Sequence, residues 1–318
     1  MRRRSITCIA LAFVAVVAVA CNPTAAPVPG APNCPVMPAN NYWHAIVTSL
    51  PVSAKSASYV TNVGATAGLK ADFGSGLWQG SAIGIPYTTV PGTQPKVAMT
   101  FDYAEDSDPG PYPFPANAPV EGGGDKHVLV VDRDNCKLYE TWNSTKNPDG
   151  SWHAGSGAVF DLKSNNLRPA TYTSADAAGL PILPGLVRYD EVASGAVNHA
   201  IRITVPTSQK AYIWPARHQA GSTTNSNYPR MGEWFRLKST VDPNTFDPAV
   251  RPIIVALKTY GAIVADNGSA WYMSGVPDSR WDNDKLATLG RIKGSDFEAL
   301  NTSSLIVSPS SGQATTAG

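Results

Sequence analysis

The stretch HVLVVDRDNCKLYETW, residues 127–142, decides the fold class. Two runs rich in β-branched and aromatic residues, 126–132 and 136–142, flank a turn of Asp, Arg, Asp and Asn. Asp and Asn favour tight turns because their side chains bond the neighbouring backbone and tolerate left-handed conformations. The stretch therefore predicts a β-hairpin.

Similar short runs recur along the chain, separated by clusters of Gly, Pro, Asn and Asp. Segments 199–205 and 210–216 predict a second hairpin, and 95–101 and 261–266 predict further strands. We expect one all-β domain over residues 39–301, an antiparallel β-sandwich or jelly roll with one or two short helices.

Two segments carry helix signals. Asp247 as N-cap, Pro248 after it and Gly261 at the end bracket an apolar repeat of helical spacing. A shorter helix is predicted to follow a cap at Asp282 or Asn283.

The first 21 residues, MRRRSITCIALAFVAVVAVAC, read as a targeting segment. Three arginines precede an apolar run that is too short to span a membrane, so residues 1–20 predict a signal peptide and an exported protein. Ala18-Val19-Ala20 fits the cleavage rule, whereas the same residues before Cys21 approximate a lipobox. Cys21 is therefore either a lipidation site, with the Pro/Ala-rich segment 21–38 as tether, or part of the spacer of a freely secreted protein.

The other cysteines fit an oxidising compartment. Cys8 leaves with the leader, so Cys34 and Cys136 remain as the predicted disulfide pair. The Ser/Thr/Gly-rich tail, 302–318, predicts disorder.

Charge excludes one class of partner. The formal net charge is +1, and loss of the three leader arginines takes it to −2. A near-neutral protein has no electrostatic footprint for nucleic acid. We expect no nucleic-acid partner, contact with a membrane only through a lipid anchor, and a monomer.

Four segments together resemble a group of exported bacterial β-rich proteins to which we can assign no activity. The resemblance covers most of residues 40–300 and implies a β-rich exported protein, without any catalytic residue to carry over. The segments are TSADAAGLPILPGLVRYDEV (173–192), YIWPARHQA (212–220), MGEWFRLK (231–238) and VADNGSAWYMSG (264–275).

Two long loops suggest functional walls. Residues 102–125 are too long and too rich in Pro and Gly for a simple turn. Segment 167–192 mixes apolar residues with prolines and predicts an ordered crossover.

Glycoside hydrolysis needs one protonated and one ionised carboxyl group, and this crossover carries the catalytic candidates Asp176, Asp190 and Glu191. The structural alternative is that Asp176 caps a turn and the other two are solvated.

Polysaccharide elimination instead needs a cation or amide beside the sugar carboxylate and a His or Tyr base. Strand alternation places Arg202 opposite to His199, so these residues do not all share one groove. A plain sheet surface would contain the same residue types. The catalytic candidates are His199 and His218, and the substrate-binding candidates are His127, Arg202, Tyr212, Trp214 and Arg217.

A zinc site of His127, His199 and His218 is a further alternative, although none of the spacings is a local ligand motif. We expect no metal and no cofactor. Export, a β-scaffold and these side chains predict an extracellular polysaccharide-acting enzyme, a glycoside hydrolase or a polysaccharide lyase, whose partner is a polysaccharide or cell-wall glycan. The alternatives are a non-catalytic glycan- or cell-wall-binding lipoprotein and a protein-binding surface module.

Overall fold

The computed structural model describes residues 26–315. The predicted signal peptide 1–20, the lipidation candidate Cys21 and residues 316–318 lie outside the described residues. Within them the chain is β-rich with few, short helices, which confirms the predicted all-β class.

The strands follow in chain order. The first half contains β1 (Pro27–Val28), β2 (Ala31–Pro35), β3 (Lys70–Ala71), β4 (Leu77–Trp78), β5 (Ser81–Ala82), β6 (Tyr87–Val90), β7 (Met99–Phe101), β8 (Val128–Asp132) and β9 (Lys137–Trp142). The second half contains β10 (Thr145–Lys146), β11 (Trp152–Ala154), β12 (Ser156–Asp161), β13 (Ile201–Val205), β14 (Trp234–Leu237), β15 (Ala262–Asn267), β16 (Tyr272–Met273) and β17 (Phe297–Ala299).

The α-helices are short. They are α1 (Ser56–Gly64), α2 (Tyr189–Ser194), α3 (Arg251–Thr259) and α4 (Asn283–Ala287). Turns of 3-10 helix lie at Tyr42–His44, Ala104–Asp106, Leu183–Gly185, Pro243–Thr245, Thr288–Arg291, Gly294–Asp296 and Ser303–Leu305.

The predicted hairpin 126–142 is confirmed. Strands β8 and β9 pair antiparallel in a four-stranded sheet of order β12-β9-β8-β6. The Asp132 carboxylate accepts hydrogen bonds from the backbone N–H groups of Asp134 and Asn135, at 3.1 and 3.0 Å. The turn therefore forms by the side-chain capping that its composition predicts.

This sheet is buried on both faces, which explains the unbroken apolar run of β8. Leu129 and Val131 face the main core, whereas Val128 and Val130 join a smaller cluster. That second cluster contains Tyr112, Phe114 and Trp152.

The second large sheet has six strands in the order β17-β14-β15-β13-β16-β3. Its apolar side chains share the main core with the four-stranded sheet and with α3. Most strand pairs of the described residues are antiparallel. Four are parallel: β13 with β15 and β3 with β16 in this sheet, β6 with β8 in the four-stranded sheet, and β7 with β11.

The predicted hairpin of 199–205 with 210–216 is wrong. Strand β13 has β15 on one side and β16 on the other, so no edge remains for residues 210–216. Those residues instead make isolated bridges, at Gln209 with Thr223 and at Tyr212 with Met231.

Helix α3 begins later than predicted, at Arg251. Asp247 caps the preceding turn by accepting from the Ala249 N–H at 2.9 Å. Pro252 is tolerated because it lies in the first turn, where its missing N–H costs no helical hydrogen bond. The predicted cap of α4 is confirmed, since the Asp282 side chain accepts from two backbone N–H groups.

The predictions of a flexible tether and a disordered tail are wrong for the described residues, because both ends of the chain pack against the rest of the protein. Cys34 and Cys136 form the predicted disulfide, and Val28 and Ala31 beside it are fully buried. At the other end, the Trp214 indole N–H donates to the Ser311 carbonyl at 2.8 Å. The small side chains of the tail let it lie close to the core, so the folded unit extends from 26 to 315 rather than from 39 to 301.

Across residues 26–315 we find no helix with the length and apolar character to cross a membrane.

Candidate functional site

Two adjoining cavities form a groove on the molecule. The first, of about 840 Å³, lies over β3, β13, β15 and β16 and is closed by α4 and by the loops around Trp78 and Glu121. The second, of about 400 Å³, lies between segment 173–177 and the Tyr103 loop. Asp125, Asp266 and Asn267 line both cavities, so the two adjoin at these three residues.

Strand register builds the floor of the first cavity. Tyr272 pairs with Lys70, and Thr204 pairs with both Tyr272 and Asp266. Residues in register across a sheet point to the same face, and all four line the cavity. A row of polar side chains therefore crosses the sheet.

A β-bulge delivers Asp266 to this row. Ile203 pairs with Val264, but the next pair is Thr204 with Asp266, so Ala265 is the extra residue. Without the bulge, alternation would place Asp266 on the core face with Val264. The bulge turns it toward the groove.

Arg202 holds two carboxylates beneath the groove. Its Nε and Nη2 donate to the two oxygens of Asp176 at 2.8 and 2.9 Å. Its Nη2 also donates to Asp266 at 3.1 Å, and its Nη1 donates to the Ser274 hydroxyl at 2.6 Å. The guanidinium fork thereby fixes the Asp266 carboxyl in place.

Asp266 is the groove carboxyl whose protonation is most altered. Burial raises its pKa to about 6, and the nearby Asp176 charge raises it as well. Arg202 lowers it, but that guanidinium divides its charge between two carboxylates. With 23% of its side chain exposed, Asp266 can still meet a ligand in the groove.

His127 and Glu121 form a second buried pair in the wall. The Nδ1 of His127 contacts the Glu121 carboxylate, and its Nε2 lies 3.1 Å from the Ala175 carbonyl. Both partners are acceptors, so a doubly protonated ring satisfies both. Burial lowers the pKa of His127, but the Glu121 charge outweighs it and raises the pKa to about 9.

The Gly-rich run 122–124 lets this wall approach the hairpin β4–β5. A Cβ on Gly122 would lie 2.6 Å from the Cβ of Ser81, and Gly123, at φ +89°, faces the Trp78 ring. Glycine is needed because larger residues would push the hairpin outward. Trp78 is thereby held at the rim of the first cavity.

Aromatic side chains stand at the rims of both cavities. Trp78 and Tyr103 are each 56% exposed, and each lines a different cavity. Trp142 lies beside Tyr103, with ring centroids 6.4 Å apart, and its indole N–H donates to Asp125 at 3.3 Å. Exposed aromatic side chains of this kind are typical of binding surfaces.

Four of the residues predicted for the site lie at the groove. Arg202 and His127 line the first cavity, and Asp176 and His218 line the second. Asp176 is fully buried against Arg202 and affects the groove through that guanidinium and through its charge beside Asp266. His218 bonds the Ala177 carbonyl through Nδ1 at 2.9 Å.

His199 and Glu191, predicted to be catalytic, are instead part of the core. The His199 ring lies between the Ala200 carbonyl and Glu191, at 2.8 and 3.2 Å. Burial raises the pKa of Glu191, but Arg188 and His199 hold it at about 2. The cluster is a buried ion pair outside the groove lining.

The remaining predicted residues also lie elsewhere, for separate reasons. Asp190 is exposed and pairs with Arg280 at 2.9 Å. Arg217 bonds the Arg168 and Pro309 carbonyls and so ties down the tail. Tyr212 and Trp214 pack against the core, where Trp214 bonds the tail. None of these four lines either cavity.

Sequence reasoning missed the central carboxyls. Asp266 ends a predicted strand in the motif VADNGS, where a carboxylate before Asn-Gly reads as a turn. Glu121 and Asp125 lie at the end of the loop 102–125, which the sequence does mark as a wall. The strand-end position of Asp266 was the available signal, since sites often lie at strand ends.

No cluster of three or more His, Cys, Asp or Glu side chains within residues 26–315 has the geometry to hold a metal ion. The three-histidine alternative therefore finds no support, because His199 is buried in the core whereas His127 and His218 line different cavities.

No protein-family model, curated protein or solved structure matches this chain.

Proposed function

We propose that the groove hydrolyses glycosidic bonds of a polysaccharide, with Asp266 as general acid and Asp125 as the ionised partner. The observation that supports this most is that these two carboxyls line both cavities, between exposed aromatic side chains. Hydrolysis needs one carboxyl that donates a proton and one that is ionised. Different environments of two neighbouring carboxyls typically assign such roles.

The environments differ here in the required sense. Asp266 is partly buried beside Asp176, which favours its protonated form. Asp125 is exposed to water and accepts a hydrogen bond from the Trp142 indole. Arg202 and Asp176 are positioning residues, since they act through Asp266.

Charge favours hydrolysis over elimination. An eliminating enzyme needs a free cation for the substrate carboxylate. Arg202 and His127 are already paired with carboxylates, so Lys70 is the one lysine or arginine of the described lining left for that role. In the described part of the chain, three groove carboxylates lack an ion-pair partner: Asp72, Asp106 and Asp125. The groove therefore suits a glycan without acidic groups.

A non-catalytic glycan-binding protein is the second candidate. The exposed faces of Trp78 and Tyr103 favour it, because they would bind sugar rings with or without turnover.

We also propose that the protein is exported, either secreted or anchored through Cys21. The disulfide supports an oxidising compartment, since such bonds are rare in the cytosol.

The test is incubation of the purified protein with a panel of neutral, amino-sugar and uronate polysaccharides. New reducing ends from a neutral or amino-sugar glycan would support hydrolysis. Unsaturated uronide products would support elimination instead. Binding without either product would leave the glycan-binding candidate.

A further inference from the structure

Two aromatic side chains are exposed to solvent among residues 26–315, and both lie at the groove, one in each cavity. Trp78 lines the first cavity and Tyr103 the second. An exposed aromatic face inside a cavity offers an apolar surface on which the ring of a ligand can stack. Each cavity therefore has one aromatic face available for stacking.

The candidate catalytic carboxyls lie between these positions. Asp125 and Asp266 line both cavities, whereas Trp78 and Tyr103 each line one. The groove therefore continues on both sides of the reacting carboxyls. An enzyme that removes sugars from a chain end would instead need a wall just beyond its carboxyls.

We propose that one linear glycan chain occupies both cavities at once and is cut in its interior. Trp78 then stacks on sugars at one side of the scissile bond, and Tyr103, with Trp142 beside it, stacks on sugars at the other. Cutting in the interior of the chain rests on the proposed hydrolase function. The binding of one chain across both cavities does not depend on that function.

The binding of one chain across both cavities also predicts a dependence on chain length. A short oligosaccharide reaches one aromatic side chain, whereas a long one reaches both. Linked contacts on one ligand add affinity without any new contact, because the second contact is intramolecular. Long chains should therefore bind more tightly than short ones.

The first experiment measures binding to the Asp266→Asn protein, using a long and a short oligosaccharide of the same glycan. The long oligosaccharide should bind at least about tenfold more tightly than the short one. Trp78→Ala and Tyr103→Ala should each remove most of that difference. Val255→Ala, an exposed apolar position on α3 outside both cavities, should preserve it. Equal affinity for the two lengths would overturn the proposal.

The second experiment follows product sizes from a long polymer with the unmutated protein. Interior cutting predicts a rapid fall in viscosity and a mixture of long fragments early in the reaction. Reducing ends that appear only with mono- or disaccharides would overturn interior cutting and leave the hydrolase in place. If no reducing ends form, the hydrolase function fails, and the length dependence of binding still decides whether one chain spans the groove.

Discussion

Asp125 and Asp266 both line the two adjoining cavities, although 141 positions separate them in the sequence. Asp125 ends the Gly-rich loop that leads into β8, in the four-stranded sheet. Asp266 lies on β15, in the six-stranded sheet. The site is therefore assembled from two parts of the fold: one carboxyl comes from the loop before the four-stranded sheet and the other from a strand of the six-stranded sheet.

The pH dependence of activity should report on Asp266. Its pKa is raised to about 6, and a general acid must be protonated to act. The value of kcat/KM should therefore fall as pH rises above about 6. A pH profile on a glycan that shows turnover measures this, and activity that keeps rising to pH 8 would contradict the assignment of Asp266 as the acid.

Asp176→Asn should move that alkaline limb to lower pH. Removing the Asp176 charge takes away an interaction that raises the pKa of Asp266 and leaves Arg202, which lowers it, to Asp266 alone. Asp247→Asn is the matched control, because Asn also caps the turn and the residue lies outside the groove lining. If the alkaline limb of the pH profile stays at the same pH in Asp176→Asn, Asp176 does not set the pKa of Asp266.

His127 should make folding stability depend on alkaline pH. Its folded pKa of about 9 lies above the ordinary histidine pKa of 6.5, so its protonated form stabilises the folded state. That contribution is fully present below pH 6.5 and is lost as pH rises through about 9. The melting temperature should fall by several degrees over this window. His127→Gln, which does not titrate, should flatten the fall, and an equal slope in both proteins would rule out His127 as its source.

The disulfide should contribute substantially to stability. Cys34 and Cys136 lie 102 positions apart, and closing a loop of that length restricts the unfolded chain strongly. Reduction should lower the free energy of unfolding by about 2–5 kcal/mol. Urea unfolding with and without reductant measures it, with the Cys34→Ser, Cys136→Ser double variant as the control that should not respond to reductant. An unchanged urea midpoint on reduction would contradict this.

Local features were predictable from the sequence. The hairpin of β8 and β9 follows from a turn whose Asp132 caps its own backbone, and the cap of α4 at Asp282 is equally local. The side of the strand on which Arg202 lies was also predictable from the sequence. Strand alternation places Arg202 opposite to Ile203 whichever strand lies alongside.

Long-range pairing was not predictable in the same way. Strand β13 pairs with β15, about sixty residues later, and parallel neighbours carry no turn that marks them in the sequence. Asp266 reaches the groove through a bulge, which exists only once β13 and β15 are paired. The catalytic candidate His199 lies in the core for a related reason: its partner Glu191 comes from α2, and their contact leaves 1% of the His199 side chain and 10% of the Glu191 side chain exposed.

The most direct test of the central claim is the rate at which Asp266→Asn forms reducing ends from the glycan that the unmutated protein cleaves. Loss of a general acid typically costs about 10² to 10⁴ in rate. We predict a loss of that size, with normal folding and with retained binding of the glycan, while Asp247→Asn keeps full activity. A folded Asp266→Asn protein that cleaves at the unmutated rate would contradict the assignment of this groove as a glycosidase site.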